Sequence, residues 1–167
     1  VAQEGFETKK PPLKVSNKAE LDAALAAAQD GDIIVMTADI DYGTSYTTIN
    51  KAITLDLGGK ILTTSMSYGS IRLNGGCTLK NGTLNHNGGV AALKVWDAAA
   101  IENLVINVAY RQGSTIGGIV IQENAKGVAS IKNVTIQGEG LTNGIETYNC
   151  GNATENVIGA MENVTIN

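Results

Sequence analysis

Asn133-Val-Thr-Ile136 is one of four copies of a short pattern, the others being Asn81-Gly-Thr-Leu84, Asn103-Leu-Val-Ile106 and Asn163-Val-Thr-Ile166. Successive copies lie 22, 30 and 30 residues apart. Self-similarity at such a period marks a coiled solenoid. Ahead of each Asn stands a small or apolar pair two positions apart: Cys77 and Leu79, Ala99 and Ile101, Ala129 and Ile131, Gly159 and Met161. A third run completes each period, in Ile71-Arg-Leu73, Leu93-Lys-Val95, Ile119-Val-Ile121 and Ile145-Glu-Thr147. Alternation of period two is the signal of a strand with one face inward. The expected fold class is all-β, a single-stranded parallel β-helix with three parallel sheets and 22 to 30 residues per coil.

The Asn at each corner has a physical reason to be there. A sharp bend demands the left-handed backbone region, which Asn tolerates better than other side-chain-bearing residues. Coils stacked ~4.8 Å apart also bring each corner amide within bonding reach of the next. Asn81, Asn103, Asn133 and Asn163 are therefore expected to form a structural ladder. Four Asn-x-Thr triplets have the form of glycosylation acceptors, at Asn81, Asn133, Asn152 and Asn163, but three of them are the corner motif itself.

Composition agrees with a narrow column. Twenty glycines, two prolines and 4% aromatic residues suit tight corners around an interior of Ile, Leu, Val and Ala. A net charge of -4 without a basic stripe argues against nucleic-acid and anionic-membrane partners. No run approaches the ~18 apolar residues of a membrane helix. Residues 1–14, with Lys9, Lys10, Pro11 and Pro12, read as an extended arm or linker ahead of a β-helix domain at 15–167. Within that domain Asn17-Lys-Ala-Glu20 has capping-box spacing, and Leu21, Ala24, Leu25 and Ala28 recur at helical intervals before Gly31. This predicts an amphipathic cap helix over about residues 17–29, lying across the open end of the column. Cys77 reads as an interior rung and Cys150 as a loop thiol, unpaired because they occupy different phases of the repeat. The start at Val1 without Met suggests a processed or truncated product. The stop at Asn167, straight after an ordinary repeat, suggests the N-terminal part of a longer solenoid, or another chain over the last rung.

The stretch from Val15 to Ile40, with Ser-Asn-Lys-Ala-Glu-Leu-Asp-Ala-Ala-Leu followed by Gly-Asp-Ile-Ile-Val, resembles the N-terminal cap of right-handed parallel β-helix proteins of the pectate-lyase-like superfamily. Ile53-Thr-Leu-Asp-Leu-Gly-Gly-Lys-Ile61 and the Asn-Val-Thr-Ile repeats are similar to that superfamily's coils. The resemblance implies a right-handed coil and a secreted or cell-surface, carbohydrate-facing protein of bacterial or phage origin. Such folds carry surface adhesins, polysaccharide lyases, glycosidases and phage tailspikes, so fold alone does not choose among them.

In the related polysaccharide-cleaving enzymes the substrate lies along the first sheet, which directs attention to its outward residues. Alternation puts Arg72, Asn74, Lys94, Trp96, Val120, Gln122, Glu146 and Tyr148 outside. Aromatic faces with Arg, Lys, Gln and Glu around them suit a polysaccharide or cell-surface glycan. Arg72, Lys94 and Glu146 are the catalytic candidates. A lyase would take its base and carboxylate neutraliser from Arg72 and Lys94; only that reading calls for Ca²⁺, and the acidic cluster to hold it is missing from the sheet. A hydrolase would need two carboxylates, and Glu146 has only Glu139 in the adjacent loop. His86, in Asn85-His-Asn-Gly-Gly, reads as a solvated turn residue, and Tyr110 and Arg111 as surface residues bordering the groove. A Thr array for ice binding is broken at Val105, between Thr83 and Thr135. Carbohydrate recognition or surface display without a cofactor is the leading expectation; a lyase or glycosidase, or a tailspike-type column, is the alternative.

Overall fold

The computed structural model describes residues 10–67, 69–109, 117–122, 129–148 and 158–167. The chain winds as a parallel β-solenoid of about five turns. Strand β1 (Leu13–Val15) and helix α1 (Lys18–Ala27) come first. The first two coils hold short strands, β2 (Ile33–Met36), β3 (Ile40–Asp41), β4 (Thr47–Ile49), β5 (Thr54–Asp56), β6 (Ile61–Thr64) and β7 (Ile71–Leu73). Long strands then alternate with shorter ones: β8 (Cys77–His86), β9 (Leu93–Val95), β10 (Ala99–Val108), β11 (Gly117–Gln122), β12 (Ala129–Gln137), β13 (Asn143–Tyr148) and β14 (Ile158–Ile166). All pairings between them are parallel.

The expected three sheets are two. One has nine strands and the other, β4-β7-β9-β11-β13, has five. The faces before and after the corner fuse because β8, β10, β12 and β14 run straight through it. Asn81, Asn103, Asn133 and Asn163 turn there with φ of 61°, 52°, 54° and 52°, so the chain bends at one residue and pairing resumes on the next. In the two earlier coils the corner takes several residues, Gly58 and Gly59 among them, and the strands stay separate. That wider corner also explains Gly82, which stands where the next coil has Leu104. A Cβ there would lie 2.5 Å from the Leu57 Cβ and 2.7 Å from the Lys60 carbonyl oxygen.

The corner amides form the expected ladder. Asn103, Asn133 and Asn163 each donate from Nδ2 to the Oδ1 one coil back, at 3.2, 3.0 and 2.9 Å. Its foot is an acid, Asp56, whose carboxylate accepts from Asn81 Nδ2 at 2.9 Å. Register places like residues over like in the interior. Leu55, Leu79, Ile101 and Ile131 make one fully buried column, and Leu62, Leu84, Ile106 and Ile136 another. Cys77 is buried and free, and burial pushes its thiol up to about 11.

Helix α1 forms where the capping pattern predicts it. The Asn17 side chain accepts from the Glu20 N–H at 3.0 Å, and the Glu20 carboxylate reaches back to the Ser16 N–H and hydroxyl, holding that carboxyl below its usual range. Leu21 and Ala28 are buried against the column. Gly31 turns the chain into β2 at φ 87°, but the helix has already ended at Ala27. A polar clasp fixes its other side. Tyr42 is buried beneath Lys18, whose Nζ lies 4.6 Å from the ring centroid, and its hydroxyl donates to Asp22 at 2.5 Å. Burial, then Asp22, pushes the phenol up to about 12.

Two further expectations need correction. The supposed arm is partly coil: Leu13–Val15 pairs with β2, and Lys10 Nζ reaches the Asp32 carboxylate at 2.8 Å. His86 is no turn residue; it is fully buried. β8 extends two residues past Leu84, so alternation carries Asn85 outward and His86 inward. Its Nε2 lies 2.9 Å from the Gly89 carbonyl and its Nδ1 2.9 Å from the Thr64 hydroxyl. The carbonyl can only accept, so Nε2 carries the proton and Nδ1 accepts from Thr64. Cys150 and Asn152 lie outside the described residues.

Two predictions follow from the column. Asn133→Gly keeps the turn but loses two ladder bonds, at a cost of about 1 kcal/mol, whereas Asn133→Leu adds left-handed strain and costs about 2–3 kcal/mol. Urea unfolding that gives equal costs would contradict this division. Burial also lowers the His86 pKa from 6.5. The unfolded chain then binds a proton that the folded one refuses, so stability is complete above about pH 6.5 and declines as pH falls below it. His86→Val, matching Val108 one coil on, should remove that decline; an unchanged pH profile in the variant would show that His86 does not titrate on unfolding.

Candidate functional site

Of the outward residues named from sequence, Arg72, Lys94, Gln122, Glu146 and Tyr148 lie on strands of the five-stranded sheet, Asn74 and Trp96 stand just past β7 and β9, and Val120, expected outside, is buried. Arg72 pairs with Lys94, Lys94 with Val120 and Val120 with Glu146, while Gln122 pairs with Tyr148. The structure adds an aromatic that the sequence reading left out. Tyr46, just before β4, puts its ring 4.3 Å from the Arg72 guanidinium carbon, and Trp96, just after β9, puts its ring at 5.9 Å. Arg72 is thereby flanked by two π faces, an arrangement that holds a guanidinium in place without a carboxylate. Its Nε is buried without a hydrogen-bond partner. Tyr46 and Tyr148 are more than half exposed, and Trp96 is exposed at 37%.

Lys94 lies beside this cluster. Its stem packs over Gly69, where a Cβ would come within 2.8 Å of Lys94 Cγ and where φ is 81°. Partial burial, with the neighbouring Arg72 charge second, lowers the ammonium pKa. Arg72, Lys94, Trp96 and Tyr46 thus make one patch, cationic at its centre and aromatic at its edges. It can receive an anionic or hydroxyl-rich group against the guanidinium and the exposed parts of the rings.

Other named residues serve differently. Asn74 Oδ1 accepts from the Gly75 N–H at 2.8 Å, which ties that side chain to the turn after β7. Glu146 accepts from Asn143 Nδ2 at 2.9 Å and is separated from Lys94 by the buried Val120. Glu139 does not join Glu146. It lines a groove of about 670 Å³ on the post-corner face, with Asn85, Asn107 and Gln137. The two-carboxylate arrangement that a hydrolase needs is therefore not assembled by these two residues. No group of three or more His, Cys, Asp and Glu placed to hold a metal occurs among the described residues. Tyr110 and Arg111 lie outside them.

Tyr46 was missed because the first coil has no corner Asn to fix its register. The pairing of Thr47 with Ile71 supplies that register and puts Tyr46 at the entry to the sheet. The chain matches no protein-family model, no curated protein and no solved structure. The β-solenoid and its side chains carry the functional argument.

Trp96 is the only tryptophan, so its fluorescence reports on the patch. Arg72→Ala should shift its emission to longer wavelength as water replaces the guanidinium, with the melting temperature changed by only a few degrees. An unshifted spectrum would mean that Arg72 does not cover the indole in solution.

Proposed function

We propose that this chain is a glycan-recognising β-helix of the pectate-lyase-like type, displayed on a cell surface or secreted, and that it binds sugar on the Arg72–Lys94–Trp96 face. The observation that carries the reading is the guanidinium of Arg72 set between Tyr46 and Trp96. Sugar rings present C–H faces that pack on indole and phenol, while their hydroxyl or acidic oxygens accept from guanidinium and ammonium. A rigid parallel sheet holds these groups at fixed spacing, so little conformational freedom is lost on binding. Gln122 and Tyr148 extend the same surface by further rungs. Extracellular placement and the superfamily rest on the resemblance of Val15 to Ile40 and of the coils, and a tailspike-type display column would use the same stiffness.

The pairing of Lys94 with Arg72 across β7 and β9, with the ammonium pKa lowered by partial burial, favours a second reading, a polysaccharide lyase. Lys94, acting in its deprotonated form, would remove the proton next to a uronic carboxylate while Arg72 neutralised that carboxylate. The glycosidic C–O bond would break, the departing oxygen would take a proton from water, and a carbon–carbon double bond would form in the ring.

Binding and ultraviolet absorbance of the double bond, followed together on polygalacturonate, alginate and neutral glucans, separate these readings. Retention without absorbance change, weakened about tenfold or more in Trp96→Ala at unchanged melting temperature, is the expected result. Rising absorbance would replace recognition by lyase chemistry. Failure to retain any of the glycans would contradict both.

A further inference from the structure

A second ladder runs up the post-corner face of the solenoid. Four positions after each corner Asn stands another amide: Asn85, Asn107, Gln137 and Asn167. Each follows the corner by the same even offset and so faces outward on the post-corner strand, with Thr63 at the foot. Asn107 Nδ2 donates to Asn85 Oδ1 at 2.8 Å, and Gln137 Nε2 donates to Asn107 Oδ1 at 2.9 Å. Unlike the corner ladder, this one forms the floor of a concavity, the groove of about 670 Å³.

The chemistry of that floor is specific. A primary amide has two N–H donors and two carbonyl lone pairs, and the ladder uses one of each at Asn107. The second N–H and second lone pair of that amide take no part in the ladder, and rungs repeat at ~4.8 Å along the axis. Adjacent donor and acceptor complement a hydroxyl pair, in which one oxygen accepts and the other hydroxyl donates. The charged side chain among the described lining residues is Glu139, a carboxylate that accepts hydrogen bonds from hydroxyls and repels anions. Five rungs from Thr63 to Asn167 give a floor roughly 19 Å long at that spacing.

From this geometry we infer that the amide-floored groove is a second binding site, for an uncharged, hydroxyl-rich oligosaccharide lying along the solenoid axis. It is distinct from the Arg72 face: it lies on the other sheet, and among its described lining residues the charge has the opposite sign and none is aromatic. Mutual bonding fixes the ladder amides before ligand arrives, so the sugar meets a preorganised row.

The test is side-chain amide and indole NMR on the intact chain, titrated with cellohexaose and with mannohexaose. The inference predicts that at least one of these neutral probes shifts the Asn107 and Gln137 NH₂ signals and leaves the Trp96 indole N–H in place. Glu139→Gln, an exposed change outside the ladder, should weaken that binding severalfold, and Asn107→Leu about tenfold or more. Should Asn107→Leu fail to fold, Glu139→Gln and the shift map decide the matter. Shifts confined to Trp96 would assign the probe to the cationic face and overturn the groove site. Absence of any shift with both probes, or native affinity in Glu139→Gln, would overturn it as well. Loss of acidic-glycan binding on the Arg72 face leaves these readouts untouched, so the two sites fail separately.

Discussion

One asparagine in each of the four later coils, held in the left-handed region, lets the chain turn a corner without interrupting its hydrogen-bonded ladder. A β-branched or other bulky residue would be strained by roughly 1–2 kcal/mol at such a φ. Glycine would relieve that strain but has no amide to donate upward. Asn does both, and each Nδ2 bond to the coil below ties a strained backbone position to its equivalent. Pairing resumes one residue after the turn in β8, β10 and β12, which is why two faces of the solenoid form one sheet.

From that constraint follow the positions of everything else. A one-residue corner fixes the phase of the strands on both sides, so Leu79, Ile101 and Ile131 stack inward together, as do Leu84, Ile106 and Ile136. The same phase points Asn85, Asn107 and Gln137 outward in one line and floors the groove. In the five-stranded sheet the aligned rungs bring Arg72 against Lys94 and between two aromatic rings. The cationic face and the amide groove are thus two outer surfaces of one repeat, differing in sign and in aromatic content.

Much of this was legible because its causes are local. Period-two alternation named the interior columns, and the Asn corners named their own ladder. What escaped depended on how far a strand continues or on which residue starts it. Asn85-His-Asn-Gly-Gly looks like a polar turn, yet β8 runs to His86 because Thr64 and the Gly89 carbonyl satisfy the ring in the interior. Residues 13–14 read as arm since two prolines precede them, yet strand pairing with β2 claims them. The second ladder did leave a signal, an amide four positions after every corner, although its members differ in type. Tyr46 left none, for its register is set by contacts between coils and not by its neighbours in sequence.

The central claim is that the corner asparagines act as a chain of bonded neighbours. A double-mutant cycle measures this directly, with Asn103→Ala and Asn133→Ala as the adjacent pair and Asn103→Ala and Asn163→Ala as the separated one. The bond from Asn133 Nδ2 to Asn103 Oδ1 predicts a coupling of about 0.5–1.5 kcal/mol in the adjacent pair and close to none in the separated pair. Additive costs in both cycles would mean that each Asn serves only its own turn, and the ladder would not be what holds the coils in register.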